Sequence, residues 1–158
     1  MRARALAASV VLFLGGCAEG GLGPGESVGP ALLARGAAED VSLWDFCDPE
    51  LQDPGVSERA CRVPSVDRLR IGPGWRAASG SELDREWKEL EWRVTLDGRA
   101  LALEEFGTLP DTTLADGRSV REWNITVEGL DPGEHRLAAR ITHGDRTYDV
   151  AWVIRVRA

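Results

Sequence analysis

Hydrophobic and polar residues alternate along three consecutive runs in the C-terminal third of the chain. Trp123, Ile125 and Val127 share one parity; His135, Leu137, Ala139 and Ile141 repeat the pattern; Tyr148, Val150, Trp152, Ile154 and Val156 repeat it again. A period of two places alternate side chains on one face of a sheet, so Val120–Val127, Glu134–Thr142 and Arg146–Val156 read as antiparallel strands with one buried face. The corner between the first two is Leu130-Asp131-Pro132-Gly133-Glu134-His135, where Pro132 presets φ and Gly133 supplies a positive φ. His143-Gly144-Asp145 turns the chain into the third run. Upstream, Leu90, Trp92, Val94 and Leu96 alternate with Glu91, Arg93 and Thr95, and Asp97-Gly98 is a two-residue hairpin signal with Leu101 and Leu103 on the return strand. Val63–Ile71 predicts a further strand, ended by Gly72-Pro73-Gly74. Ser81–Glu89 fits a helical turn capped by Ser81, a loop or an irregular strand. Phe106–Gly117 reads as a polar connection.

About six or seven short strands with turn signals every 8 to 12 residues predict an all-β sandwich. At 158 residues, 43% hydrophobic and 28% charged, the chain is long enough for one such domain with attachments. Its net charge of -7 argues against a nucleic-acid partner, which would need clustered Lys and Arg.

The N-terminus carries a different signal. Arg2 and Arg4 precede an apolar run, Ala5–Leu14, too short to span a bilayer as a helix, which ends in Leu14-Gly15-Gly16-Cys17. This resembles the lipobox of bacterial lipoproteins. The resemblance implies that residues 1–16 are removed as a signal peptide, that Cys17 takes a diacylglycerol and its new amine an acyl chain such as palmitate, and that the membrane is reached through these lipids. Ala18, rather than Asp, follows the cysteine, which implies the outer membrane, at its periplasmic face or at the cell surface. Residues 17–40, rich in Gly, Ala and Pro, read as a flexible tether with a reach of about 25 Å. With Cys17 taken by lipid, two thiols remain in an oxidising compartment, so Cys47 and Cys61 are expected to pair and to close the 41–62 segment. The acids of that loop, Asp48, Glu50, Asp53 and Glu58, lack calcium-loop spacing and read as solvated; no metal or cofactor is expected.

Residues 63–158 carry a second resemblance. Trp92-x-Val94-x-Leu96-Asp97-Gly98-x-x-Leu101 looks like the central hairpin of bacterial immunoglobulin-like modules. Leu130-x-Pro132-Gly133-x-His135-x-Leu137 resembles their Leu-x-Pro-Gly-x-Tyr corner, with His135 in the tyrosine position. The implied fold is an immunoglobulin-like antiparallel β-sandwich, with an imidazole N–H bonding backbone across the corner.

Catalysis is not indicated. Ser81 and Ser119 have no base nearby in sequence, no Gly-x-Ser-x-Gly elbow is present, and nothing marks two acids as a pair. His135 and His143 lie about 27 Å apart along one strand, too far to share a metal. Of the 6 tryptophans, Trp92, Trp123 and Trp152 fall on buried parities, leaving Trp44, Trp75 and Trp87 as candidate ligand contacts. Asn124-Ile125-Thr126 matches a glycosylation pattern but reads as an outward strand residue. The expected function is a lipid-anchored, non-catalytic module of the cell envelope for protein interaction or envelope assembly, with a sheet edge or the 104–119 connection as its contact surface. The alternative is a polysaccharide-binding module that uses exposed tryptophans.

Overall fold

The computed structural model describes residues 20–51 and 53–158; Cys17 and the rest of the lipobox lie outside this range. In chain order the strands are β1 (Ser27–Val28), β2 (Ala31–Arg35), β3 (Val41–Ser42), β4 (Gly55–Val63), β5 (Arg68–Arg70), β6 (Gly74–Ala77), β7 (Leu90–Leu96), β8 (Arg99–Ala100), β9 (Thr112–Thr113), β10 (Ser119–Glu122), β11 (Ile125–Glu128), β12 (Gly133–His143) and β13 (Arg146–Val156). Among the described residues two α-helices, α1 (Gly80–Glu89) and α2 (Leu103–Phe106), and a 3-10 turn, Leu43–Asp45, interrupt them. One five-stranded sheet has the order β4-β13-β12-β7-β8, a second the order β1-β2-β11-β5-β3, and β6-β10-β9 make a small third. Leu96, Leu137, Ile141, Trp152 and Ile154 of the first sheet share one hydrophobic core with Leu33, Leu69, Ile125 and Val127 of the second. The arrangement is a β-sandwich with a helix-backed side sheet.

The alternating runs form their strands because one parity is apolar. In β12, Leu137, Ala139 and Ile141 are buried, and β13 opposes them with Trp152, Val150 and Tyr148. Asp97 and Gly98 both adopt positive φ (48° and 78°), the requirement of the expected hairpin turn. The return is shorter than expected. After β8 the chain enters α2, whose Leu103 and Phe106 are buried, instead of continuing as a strand through Leu103.

Four other expectations are corrected. The sandwich is mixed rather than antiparallel throughout, because β4 runs parallel to β13 and β3 parallel to β5. Val63–Ile71 is not one strand: β4 ends at Val63 and β5 begins at Arg68. The second half of the cysteine segment is therefore strand, not loop. Residues 80–89 are helical, but the N-cap is Ser79, whose side chain accepts from the Glu82 N–H; Glu82 in turn accepts from the Ala78 N–H. Val120–Val127 is divided into β10 and β11, which belong to different sheets.

That division is matched across the ladder. β6 opposes β10 and β5 opposes β11, and the register does not slip: Arg121 opposes Trp75 on one side of the break and Thr126 opposes Arg70 on the other. Within the break, the Trp123 N–H donates to the Pro73 carbonyl and the Ile71 N–H to the Ile125 carbonyl. One long antiparallel pair thus bends from one sheet into the next. Gly72 makes the bend possible, since a Cβ there would overlap the Trp123 carbonyl.

The largest correction concerns the tether. Residues 20–40 are ordered and structural. Leu22 bonds Ala100 and Ala102 through its backbone, β2 pairs along β11, and Ala31 and Leu33 are buried. Asp40 locks the segment in place. Its carboxylate accepts from Arg68, from the Ala37 N–H and from the buried Thr126 hydroxyl at 2.9 Å, while Arg68 also pairs with Glu128. The Arg68 bond outweighs the cost of burial and holds the Asp40 pKa down at about 2. The Gly and Pro content of the stretch makes turns (Gly25 and Gly29 have positive φ) rather than flexibility.

Cys47 and Cys61 are bonded, with Cα atoms 5.3 Å apart. The bridge pins the segment after β3 onto β4, and both sulfurs sit in the core.

Candidate functional site

The cysteine-closed segment and the side sheet enclose a cleft of about 150 Å³. Strand alternation decides what faces it. On β10, Arg121 turns toward α1, bonding Asp84 and lying over the Trp87 ring. Val120 and Glu122 therefore project from the opposite face, with their ladder partners Arg76 and Gly74. Pro49, Glu50 and Leu51 form the facing wall, and Trp75, Arg118 and Tyr148 complete the lining. Glu50 is held between Arg118 (2.9 Å) and Arg76 (3.5 Å), and Arg118 also grips Asp116 at 2.7 Å.

Glu122 differs from Asp40, Asp111 and Asp116, whose pKa values are lowered by hydrogen bonds. Its carboxylate makes no hydrogen bond or ion pair among the described residues. Burial raises its pKa, against the pull of Arg70 and Arg76. A half-buried carboxyl group beside guanidinium groups and two aromatic rings offers hydrogen-bond acceptors, donors and apolar surface together. That combination suits a neutral polar ligand.

The structure separates the three candidate tryptophans. All are half-buried. Trp44 packs edge-on against Trp152 at 5.1 Å and donates its indole N–H to the Gly72 carbonyl. Trp87 stacks with Trp92 and Trp123 at 5.3 and 5.1 Å. Both are therefore part of the packing. Trp75 alone reaches the cleft; it donates to Glu86 at 2.6 Å and meets Tyr148 and His143 edge-on. The three do not form an exposed row. Trp123 and Trp152 are in the core as expected, and Trp92 is half-buried against it. The Trp92 and Trp123 indole N–H groups are buried without a partner among the described residues.

His135 makes the corner bond expected of it, with Nε2 2.9 Å from the Asp131 carbonyl, and Nδ1 meets Asp97 at 2.7 Å. Both partners are acceptors, so both ring nitrogens must donate, which only imidazolium can do. Burial works against the charge, but the Asp97 and Asp131 bonds outweigh it and raise the pKa. His143 lies at the other end of β12, 3.3 Å from Glu89. The Ser81 hydroxyl meets only Ser79. The loop acids engage arginine and backbone: Glu58 pairs with Arg136, and Asp48 accepts from the Glu50 N–H. The Asn124 side chain accepts from the Gly36 N–H.

Sequence reasoning found Trp75 but not Glu122, Arg76, Arg118 or Tyr148. Glu122 and Arg76 lie in four-residue strands with no clear alternation, and it is the β6–β10 pairing that brings them to one face.

A second surface is the outer edge of β4. No strand among the described residues pairs with it, and Val56 on it is 88% exposed. Beside it, the outer sheet face forms a shallow trough over Ala138 and Ala151, flanked by Arg136, Arg140 and Asp149.

No protein-family model matches this chain, and comparisons with curated proteins and with solved structures also find no match.

Proposed function

We propose that this chain is a lipid-anchored, non-catalytic module of the bacterial cell envelope, built on an immunoglobulin-like sandwich, that binds a protein partner by strand addition. The open edge of β4 carries the reading. It offers nine residues of strand, stiffened by the disulfide at Cys61, with an apolar side chain standing in water where edge strands more often carry charge. The lipobox residues Leu14–Cys17 support the anchor, and the Pro132–His135 corner supports the immunoglobulin-like assignment.

A photo-crosslinker at Val56 should capture a discrete envelope protein in intact cells, and one at Asp145, on the turn after β12, should not. Val56→Lys should abolish complex formation without unfolding the protein. Capture at both positions alike, or none at Val56, would remove the edge as the contact. Cys17→Ser should move the protein out of the membrane fraction.

The cleft favours a second reading, polysaccharide binding, because hydroxyl groups can bridge Glu122 and the arginines beside Trp75 and Tyr148. Retention on envelope polysaccharide that Glu122→Ala removes and Val56→Lys spares would select it.

A further inference from the structure

The ordered segment that begins at Gly20 limits how the module can stand on a membrane that holds it through Cys17. We infer that the Asp97–Arg99 turn and the Asp131–Glu134 corner lie against the bilayer surface, and that the cleft and Val56 are held at the opposite pole. The inference rests on lipidation at Cys17, as proposed above, and adds an orientation to it.

Chain length is the first constraint. Only Ala18 and Glu19 separate Cys17 from Gly20, where the described chain begins. Three residue steps span at most about 10 Å, well short of the reach of a twenty-residue tether. The acylated sulfur and Gly20 are therefore close to one another whatever path the link takes.

The second constraint is where Gly20 sits. Leu22 forms a parallel bridge with Leu101. Leu22 is bonded to Ala100 and Ala102, and Gly20, two residues away, lies within about 7 Å of it, near the return from the Asp97–Gly98 turn. The corner joins the same pole, because Asp97 binds His135 and accepts from the Arg136 N–H. Gly133 opposes Val156, and Val156 opposes Val63, so those strand ends lie there too.

Register places everything else at a distance. Leu137 opposes Leu96 near this pole, whereas His143 opposes Leu90 at the other. Six residues of strand separate the two levels, about 20 Å. Tyr148 of the cleft opposes Ile141, and Gly55, beside Val56, opposes Tyr148. The cleft and the Val56 end of the β4 edge therefore face away from the lipid. Glu104 and Glu105 follow the bound pole on α2, and Asp97, Asp131 and Glu134 stand on it. Arg99, Arg155 and Arg157 only partly offset these five acids, so the contact is imposed by the anchor and not driven by charge.

The test is energy transfer from a dye placed at Arg99 or at Asp145, on the mature lipidated protein, to acceptor-labelled headgroups in phosphatidylethanolamine–phosphatidylglycerol vesicles. Transfer from position 99 should exceed that from 145 several-fold. Twenty Gly/Ser residues inserted after Glu19 should erase the difference while leaving the protein on the vesicles. Equal transfer from the two positions in vesicle-bound protein, or stronger transfer from 145, overturns the orientation and leaves lipidation standing. Lipid-free protein recovered from the soluble fraction defeats lipidation, and the orientation with it.

Discussion

The β12–β13 hairpin pairs eleven residues on each strand without interruption. The pairing between residues 68–77 and 119–128 has nearly the same length and an equally constant register, yet it breaks in the middle and serves two sheets. The difference lies in a few residues. From Glu134 to His143 and from Arg146 to Val156 the straight pair has a side chain at every position. The bent pair has Gly72-Pro73 facing Trp123-Asn124. Pro73 has no N–H to give to a ladder, and Gly72 lets the opposite backbone come in where a side chain would stand. Bending an antiparallel pair thus takes a close backbone approach on one strand and a large side chain to fill the space on the other. The bend is what creates the cleft, because it turns Glu122 and Arg76 away from the main core.

The contrast can be broken most severely at Gly72. Gly72→Ala should cost about 3 kcal/mol or more, since the Cβ meets backbone and not a flexible side chain. Gly144→Ala, in the turn of the straight pair, meets open space and only an unfavourable φ of 61°, so about 1 kcal/mol is expected. Urea melts of the two variants compare them directly; similar losses would show that the bend is not sterically fixed.

Asp40 tests the sheet that the bent pair enters. Asp40→Asn should cost about 2 kcal/mol at neutral pH, as a charged hydrogen bond to Arg68 is weakened. The Asp40 pKa is depressed from 3.8 to about 2, so its contribution is complete above pH 3.8 and disappears as pH falls through about 2. Wild type and variant should therefore converge in stability at the acid end of a pH series. A gap that persists there would mean that packing, and not charge, explains the loss.

The smallest effect is expected at the corner of the straight pair. The His135 pKa is raised above 6.5, so its contribution is complete below pH 6.5 and is lost as pH rises through the raised value. His135→Gln should lower stability by less than about 1 kcal/mol at pH 6, given partial solvent screening, and should flatten the decline toward pH 9. Nuclear magnetic resonance titration of the imidazole protons gives the pKa itself; a value at or below 6.5 would contradict the assigned pair of donated bonds.

The straight pair was legible in the sequence almost to the residue, as was the Asp97–Gly98 turn, because strict alternation and a two-residue turn are local signals. The bent pair was half legible. Trp123, Ile125 and Val127 keep their parity, but it does not extend upstream: in β10 the neighbours Ser119 and Val120 are both buried although they lie on opposite faces of the strand. No local pattern announces such a change. The N-terminal strands were read as a tether because β2 is five residues between glycines, and its stability comes from β11 and Asp40, far away in sequence. The cleft depends on both features and could not be read before them.

The pairing of β4 with β13 also sets the order of assembly. In the sheet, β13 stands between β4 and β12, and Trp152 lies across from Arg59, with most of the domain between them in sequence. A chain synthesised or threaded from its N-terminus makes β4 early and must leave it without a neighbour until residues 146–156 arrive. The Cys47–Cys61 bond spans only 14 positions and can form during that interval, holding the waiting strand near its site. Folding is thus expected to be slow, set by one long-range closure, and loss of the final strand would remove the middle of the sheet and not its rim.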